Sequence, residues 1–334
     1  MRAVGKAAIV RLTVAACCFV GLIGCAGKRV AGPPEKITLA VSMLPNASLV
    51  HIAAAEGYFA GEGLDVTLQR HEFGKPALDA MLAGNADLAT CAETPLVFAV
   101  LKGQQLSVLA TIAGATKNNA VVARKDAGIS TPRDLAGKRV GVTRGTTAEF
   151  FLDTFLIRYG VDRGAVRLVD LSPANMPDAL AKGEVDAVSI WNPVIFDLQK
   201  SLGGRAVTFY ADDIYFETFD VVARKEFVKQ RLAAAKSVLR ALLRAEAFVR
   251  GLPAEARRDA AAALRQDLAQ IEAILRPFDF RVRLEQSLLV LMEEEARWAI
   301  RSGLIPVQNT PNFLTSLEAE PLLAVKPAAV QLVR

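Results

Sequence analysis

Residues 140–155, VGVTRGTTAEFFLDTF, set two threonines and an arginine at the start of a helix, a combination able to hold a small oxyanion. Arg139 to Thr143 alternates as a strand, and Gly145 breaks the run. Phe151, Leu152, Phe155, Leu156 and Tyr159 then recur at helical spacing up to Gly160. A strand that turns through glycine into a helix presents unpaired N–H groups and the positive end of the helix dipole. The Thr146 and Thr147 hydroxyls and Arg144 stand beside them. The same residues have a second use, because Thr146 and Glu149 have the spacing of a capping box, in which the hydroxyl only closes its own helix. The segment alone supports either use.

Other chemistry has little to work with. His51 and His71 are the only histidines, no ligand cluster joins them, and there is no Gly-x-Ser-x-Gly, phosphate-cradling loop or Gly-x-Gly-x-x-Gly fingerprint. We expect no metal and no resident cofactor, and a binder of small molecules rather than an enzyme.

The elements that would position such a site come from 334 residues, 52% hydrophobic and 22% charged, enough for two cores. The first 24 residues carry Arg2, Lys6 and Arg11 and no acid, so 37 basic residues face 35 acidic ones in the remainder. No nucleic-acid-binding run stands out. Arg2 and Lys6 precede an apolar stretch of about 15 residues, short for a membrane span and right for a secretory signal. Leu22-Ile23-Gly24-Cys25 follows and resembles the bacterial lipobox, after which Cys25 is lipidated and 25–35 is a flexible tether to the membrane. Cys17 and Cys18 fall in the leader, which leaves Cys91 as the one thiol.

From Lys36 to Met43 the chain alternates as a strand, Leu44-Pro45-Asn46 breaks it, Ala47 to Glu56 is helical and Leu64 to Gln69 is a second strand. This β–α–β start predicts an α/β fold. A helix from Lys75 to Ala83, a strand from Asp87 to Cys91, a helix from Leu96 and a strand from Leu106 follow. Two echoes recur about 100 residues apart: LDAMLAGNADLA at 78–89 with PDALAKGEVDAV at 177–188, and VVARK at 121–125 and 221–225. They predict two similar lobes, with the VVARK segments as crossings between them. The expected division is 36–118 with 223–304 as lobe one, 119–222 as lobe two, and 305–334 as an irregular wrapping tail. Helices are expected over 232–249, 253–275 and 284–302.

Several motifs in this order resemble one family. They are the leader, the Pro45-Asn46 break, Glu56-Gly57-Tyr58-Phe59 with Glu62-Gly63-Leu64-Asp65-Val66, the paired echo, and Asp134 to Val142. The chain is similar to the substrate-binding proteins of ABC importers in the nitrate, sulfonate, taurine and thiamine-precursor group. The resemblance implies a periplasmic-binding-protein-like, type II-like fold of two lobes and two crossing strands, with ligand held in the cleft and released to an ABC permease and its ATPase. It also implies an extracytoplasmic monomer, lipid-anchored through Cys25, with no nucleic-acid partner.

Carried onto this chain, the resemblance lines the cleft with Asn46, Glu93, Thr94 and Asn118, and with Thr146, Thr147, Trp191 and Asn192. Asn46 also suits a turn, Asn118 a hinge and Trp191 a core. Glu217 stands just before the second crossing. Glu93 near the cleft puts a carboxylate opposite the anion seat, which suits a zwitterion such as taurine, and an unpaired Glu93 would repel a bare inorganic anion, so organic sulfonates come first, pyrimidine precursors second, and nitrate or bicarbonate third. A solute sensor without a permease is the alternative role.

Overall fold

Both echoes are structural. The computed structural model describes residues 32–333, so the leader, Cys25 and the start of the tether lie outside the described residues. In chain order the first part holds β1 (Glu35–Ser42), α1 (Ser48–Ala55), α2 (Tyr58–Gly61), β2 (Leu64–His71), α3 (Gly74–Leu82), β3 (Leu88–Ala92), α4 (Glu93–Leu101) and β4 (Leu106–Ala115). The middle holds β5 (Asn119–Arg124), β6 (Arg139–Val142), α5 (Thr147–Arg158), β7 (Arg167–Asp170), α6 (Met176–Lys182), β8 (Ala187–Trp191), α7 (Val194–Leu202) and β9 (Ala206–Phe209). Then come β10 (Glu217–Arg224), α8 (Lys225–Gln230), α9 (Leu232–Gly251), α10 (Pro253–Leu264), α11 (Leu268–Leu275), β11 (Leu284–Glu285), α12 (Gln286–Arg301), α13 (Glu320–Val325) and β12 (Val330–Gln331).

The strands form two five-stranded sheets, β2-β1-β3-β10-β4 and β7-β6-β8-β5-β9, the two-lobed α/β architecture expected from the sequence. In the first echo α3 ends at Gly84, and Asp87 clasps β1, its N–H donating to Thr38 O and its carboxylate accepting from Thr38 N. In the second, α6 ends at Gly183, and Asp186 clasps Arg139 of β6 in the same way. Both glycines have positive φ, 85° and 73°, where a side chain is strained. The VVARK strands complete the symmetry. Val121 to Ala123 run antiparallel to β8, and Val221 to Ala223 run antiparallel to β3. Arg124 lies over Gly183 and Arg224 over Gly84. Each sheet thus receives its antiparallel strand from the far side of a crossing.

Four expectations change. β10 lies wholly in the first sheet, so the chain returns between Phe209 and Glu217 instead of at 222; hydrogen bonding to β3 and β4 decides this, and the VVARK match alone does not. The helix expected over 253–275 is two, because Arg265 turns to φ 55° and ends α10. The segment after 304 contains α13, packed on α9, and β12, paired with β11; Phe313 and Leu322 are fully buried there. Finally, α4 begins at Glu93 and not at Leu96, so Glu93, Thr94 and Pro95 form its first turn.

Candidate functional site

The turn between β6 and α5 folds as a strand, a glycine turn at Gly145 (φ 69°) and a twelve-residue helix closed at Gly160. The capping box does not form. Thr146 Oγ1 donates to Thr143 O at 2.7 Å, and the Glu149 carboxylate accepts from Gly145 N at 2.8 Å and pairs with Arg144 at 3.3 Å. Arg144 is thereby engaged away from the inner cavity. Thr147 Oγ1 donates to Asn119 Oδ1 at 3.3 Å.

Thr146 and Thr147 line a small cavity between the two sheets. Asn46, Phe73, Gly74, Lys75, Trp191 and Glu217 line it too, so residues of both sheets meet at one point. Trp191, the last residue of β8, and Phe73, just before α3, pack against each other with ring centroids 5.8 Å apart and planes tilted by 48°. The first turns of α3, α4 and α5 border the cavity, through Gly74 and Lys75, Pro95, and Thr147, and with them the positive ends of three helix dipoles. The cavity volume is about 20 Å³, little more than one water needs.

Glu217 is the polar centre. Its carboxylate accepts from the Nδ2 groups of Asn46 at 3.2 Å, Asn118 at 3.1 and 3.0 Å, and Asn119. These amides favour the ionised form, but burial and the neighbouring Glu93 outweigh them and push its pKa up to about 8. Asn46 Oδ1 has no hydrogen-bond partner among the described residues, although Asn46 is only 3% exposed. A buried acceptor left bare beside a cavity fits a ligand that brings an N–H donor.

Glu93 and Thr94 do not line the cavity. They begin α4 and turn into the protein, where Glu93 accepts from the Tyr215 hydroxyl, Thr218 N at 2.9 Å and Thr218 Oγ1 at 3.0 Å. Thr94 donates to Glu295 at 2.8 Å. Burial raises Glu93 to about 7. Asn118 reaches the site only through Glu217, and Asn192 spends its N–H on Asn118 O at 3.2 Å before the cis bond to Pro193. The carboxylate in the cavity is therefore Glu217, and Glu93 lies in the packing behind it.

Phe73, Gly74, Lys75 and Asn119 are the residues that sequence reasoning missed. Phe73-Gly74-Lys75 lies where β2 turns into α3, the same kind of strand-to-helix turn as Thr143–Thr147, and that likeness was the available signal. Gly74 is required there, since a Cβ on it would stand 2.8 Å from the Cys91 Cα. His51 is buried in α1, its Nε2 2.9 Å from Ser42 O.

Two α/β lobes with a polar and aromatic cavity between the ends of their strands define the class of periplasmic-binding-protein-like solute-binding folds. Residues 45–256 match the family described as NMT1/THI5 like, and the chain belongs to that family. It is 26% identical over 216 residues to the taurine-binding periplasmic protein of Escherichia coli, a match covering 64% of this chain and 66% of that protein. It is 24% identical over 210 residues to a putative aliphatic sulfonates-binding protein of Bacillus subtilis, covering 61% of this chain and 63% of the other. Among solved structures, the alkanesulfonate-binding protein SsuA of Xanthomonas axonopodis pv. citri superposes with a TM-score of 0.74 at 20% identity, over 86% of this chain and 100% of that one. These relatives are binding proteins by name.

Proposed function

We propose that this chain is the solute-binding component of an ABC importer and captures a taurine-like organic sulfonate between its two lobes. The observation that carries the reading is that Glu217 and the Thr146/Thr147 helix start line one cavity. A sulfonate suits the α5 N-terminus and its threonines, and an ammonium suits Glu217 and the bare Asn46 Oδ1. Phe73 and Trp191 close over the short alkyl part. The names of the taurine- and sulfonate-binding relatives support the same solute class.

The lobes of this reading are the two sheets with their helices, hinged at 116–118 and 210–216, where Lys117 and Asp212 pair at 3.0 Å. Admission of a solute larger than a water needs the cleft to open, and closure over it presents a new surface to a permease. Cys25 carries the lipid that holds the protein at the outer face of a bacterial membrane. Delivery to a permease and its ATPase, rather than sensing, is part of the proposal.

A thermal-shift screen of the protein against taurine, alkanesulfonates, aminopyrimidines, nitrate and bicarbonate tests it. Taurine at a hundred times its dissociation constant adds about 2.7 kcal/mol and raises the melting point visibly. A shift with nitrate or bicarbonate alone removes the zwitterion reading. The Phe73 and Trp191 rings beside the cavity favour an aminopyrimidine as the second reading, and a shift with that arm alone selects it.

A further inference from the structure

Residues of α1, α9, α10 and α11 border a second cavity, of about 430 Å³, a volume within the range of small-molecule sites. None of the residues that line it borders the cavity at Glu217. Its wall is apolar at Ile52, Val249 and Leu275, and Phe278 and Phe280 add two aromatic rings. The segment that carries those rings is held extended, because Asp279 N donates to Gly114 O at 2.8 Å and Gly114 N to Asp279 O at 3.0 Å. Alternation along it turns both phenylalanines to one side, where they stack with centroids 5.7 Å apart and planes 18° apart. Both stay half-buried, so aromatic surface is left open to the cavity.

Two guanidinium groups stand at the same cavity against one carboxylate. Arg257 lies 3.4 Å from Glu272, but its buried Nε has no hydrogen-bond partner among the described residues. Arg276, at the end of α11, has neither an ion pair nor a hydrogen bond among the described residues. One positive charge is therefore unmatched beside the rings. A guanidinium presents its N–H donors in a plane that fits a carboxylate. A bare inorganic anion would leave the apolar wall and the rings uncovered, and an uncharged arene would leave the guanidinium groups unanswered.

We propose that this cavity is a second ligand site, separate from the cleft, for an aromatic monocarboxylate. The ring lies against Phe278 and Phe280, and the carboxylate meets Arg276 and Arg257. The site stands apart from the solute reading of the cleft and does not depend on it.

Calorimetric titration of the detergent-solubilised full chain with 2-naphthoate, its uncharged analogue 2-naphthamide, and octanoate tests it, in the parent and in Arg276→Gln, Phe280→Leu and Thr147→Ala. Arg276 is exposed and without a partner, so Arg276→Gln leaves the fold intact. 2-Naphthoate is expected to bind more tightly than the other two compounds. It loses about threefold in Arg276→Gln, the effect of an exposed ion pair, and about threefold in Phe280→Leu, the effect of a lost aromatic contact. Thr147→Ala, in the cleft, binds it as the parent does. No binding of 2-naphthoate at millimolar concentration overturns the site, and so does equal affinity for 2-naphthamide or octanoate. Loss in Thr147→Ala with none in Arg276→Gln also overturns it, by assigning the binding to the cleft.

Discussion

Asn46 donates through Nδ2 to Glu217 at 3.2 Å, joining the turn after the first strand to the strand that follows the second crossing, 171 residues later. The bond fixes which end of the amide faces the carboxylate. It also leaves Oδ1 bare, so the pair offers a ligand both a carboxylate and a neutral acceptor. Through Asn119, which donates to Glu217 and accepts from Thr147, the same carboxylate is linked to the start of α5.

Glu217→Gln tests that pair directly. The neutral amide keeps the shape and removes the charge that an ammonium needs. Taurine affinity is expected to fall by about tenfold or more, the weight of a charge-assisted hydrogen bond, while an alkanesulfonate without an amine is unaffected. Equal losses for both solutes by calorimetry would show that Glu217 does not meet an amine.

The buried carboxylates set a pH dependence of stability. Burial, first among the causes, holds Glu217 up to about 8 and Glu93 and Asp220 up to about 7, against ordinary values of 4.5 for glutamate and 3.8 for aspartate. Between the ordinary and raised values the folded chain binds more protons than the unfolded one, so stability falls as pH rises through that window. The melting temperature is expected to be higher at about pH 5 than at about pH 8.5, with a shallower slope in Glu217→Gln. A flat or rising profile contradicts this account.

Ligand affinity has the opposite sign. In the proposed complex an ammonium pairs with the ionised form of Glu217, so binding would first remove the proton that burial retains. Taurine affinity is expected to strengthen with pH by up to about tenfold per unit, levelling near the Glu217 value of about 8. The check is a titration series by calorimetry in which Glu217→Gln loses the trend.

Thr146 and Thr147 separate into two roles. Thr146 Oγ1 is committed to Thr143 O, so Thr146→Ala loosens the turn and costs about 1 kcal/mol of stability. Thr147 Oγ1 makes only a 3.3 Å contact with Asn119, and Thr147→Ala is expected to weaken sulfonate binding with little change in melting temperature. Denaturant unfolding and ligand titration on both variants read the two effects apart; unchanged affinity in Thr147→Ala removes this turn from the site.

Gly74→Ala probes the close approach of α3 to β3. A methyl group there would stand 2.8 Å from the Cys91 backbone, which cannot yield as a flexible side chain could. A loss of about 1–3 kcal/mol is expected, measured as a lowered unfolding midpoint. A variant as stable as the parent would mean that α3 moves freely against β3.

Much of the architecture is local and therefore legible in the chain. Alternation and helical spacing mark β1, β6, α5 and α9, because burial on one face imposes a period on the residues themselves. The echo at 78–89 and 177–188 marks two copies of one device, a helix stopped at a left-handed glycine and an aspartate that clasps the neighbouring strand. Much of what the tertiary structure alone decided depends on contacts across about a hundred residues or more. The direction in which Glu93 faces follows from Tyr215 and Thr218 waiting behind α4, and no spacing near Glu93 encodes them. Glu149 has the spacing of a capping partner, yet it bonds Gly145 and Arg144, since side chains choose among nearby donors only after the turn is set. Thus the sequence by itself marked the helix start at Thr146 and Thr147, and only the packing of two sheets brought Glu217, Asn46 and Phe73 to meet it, because a cleft is made by surfaces that belong to no single segment.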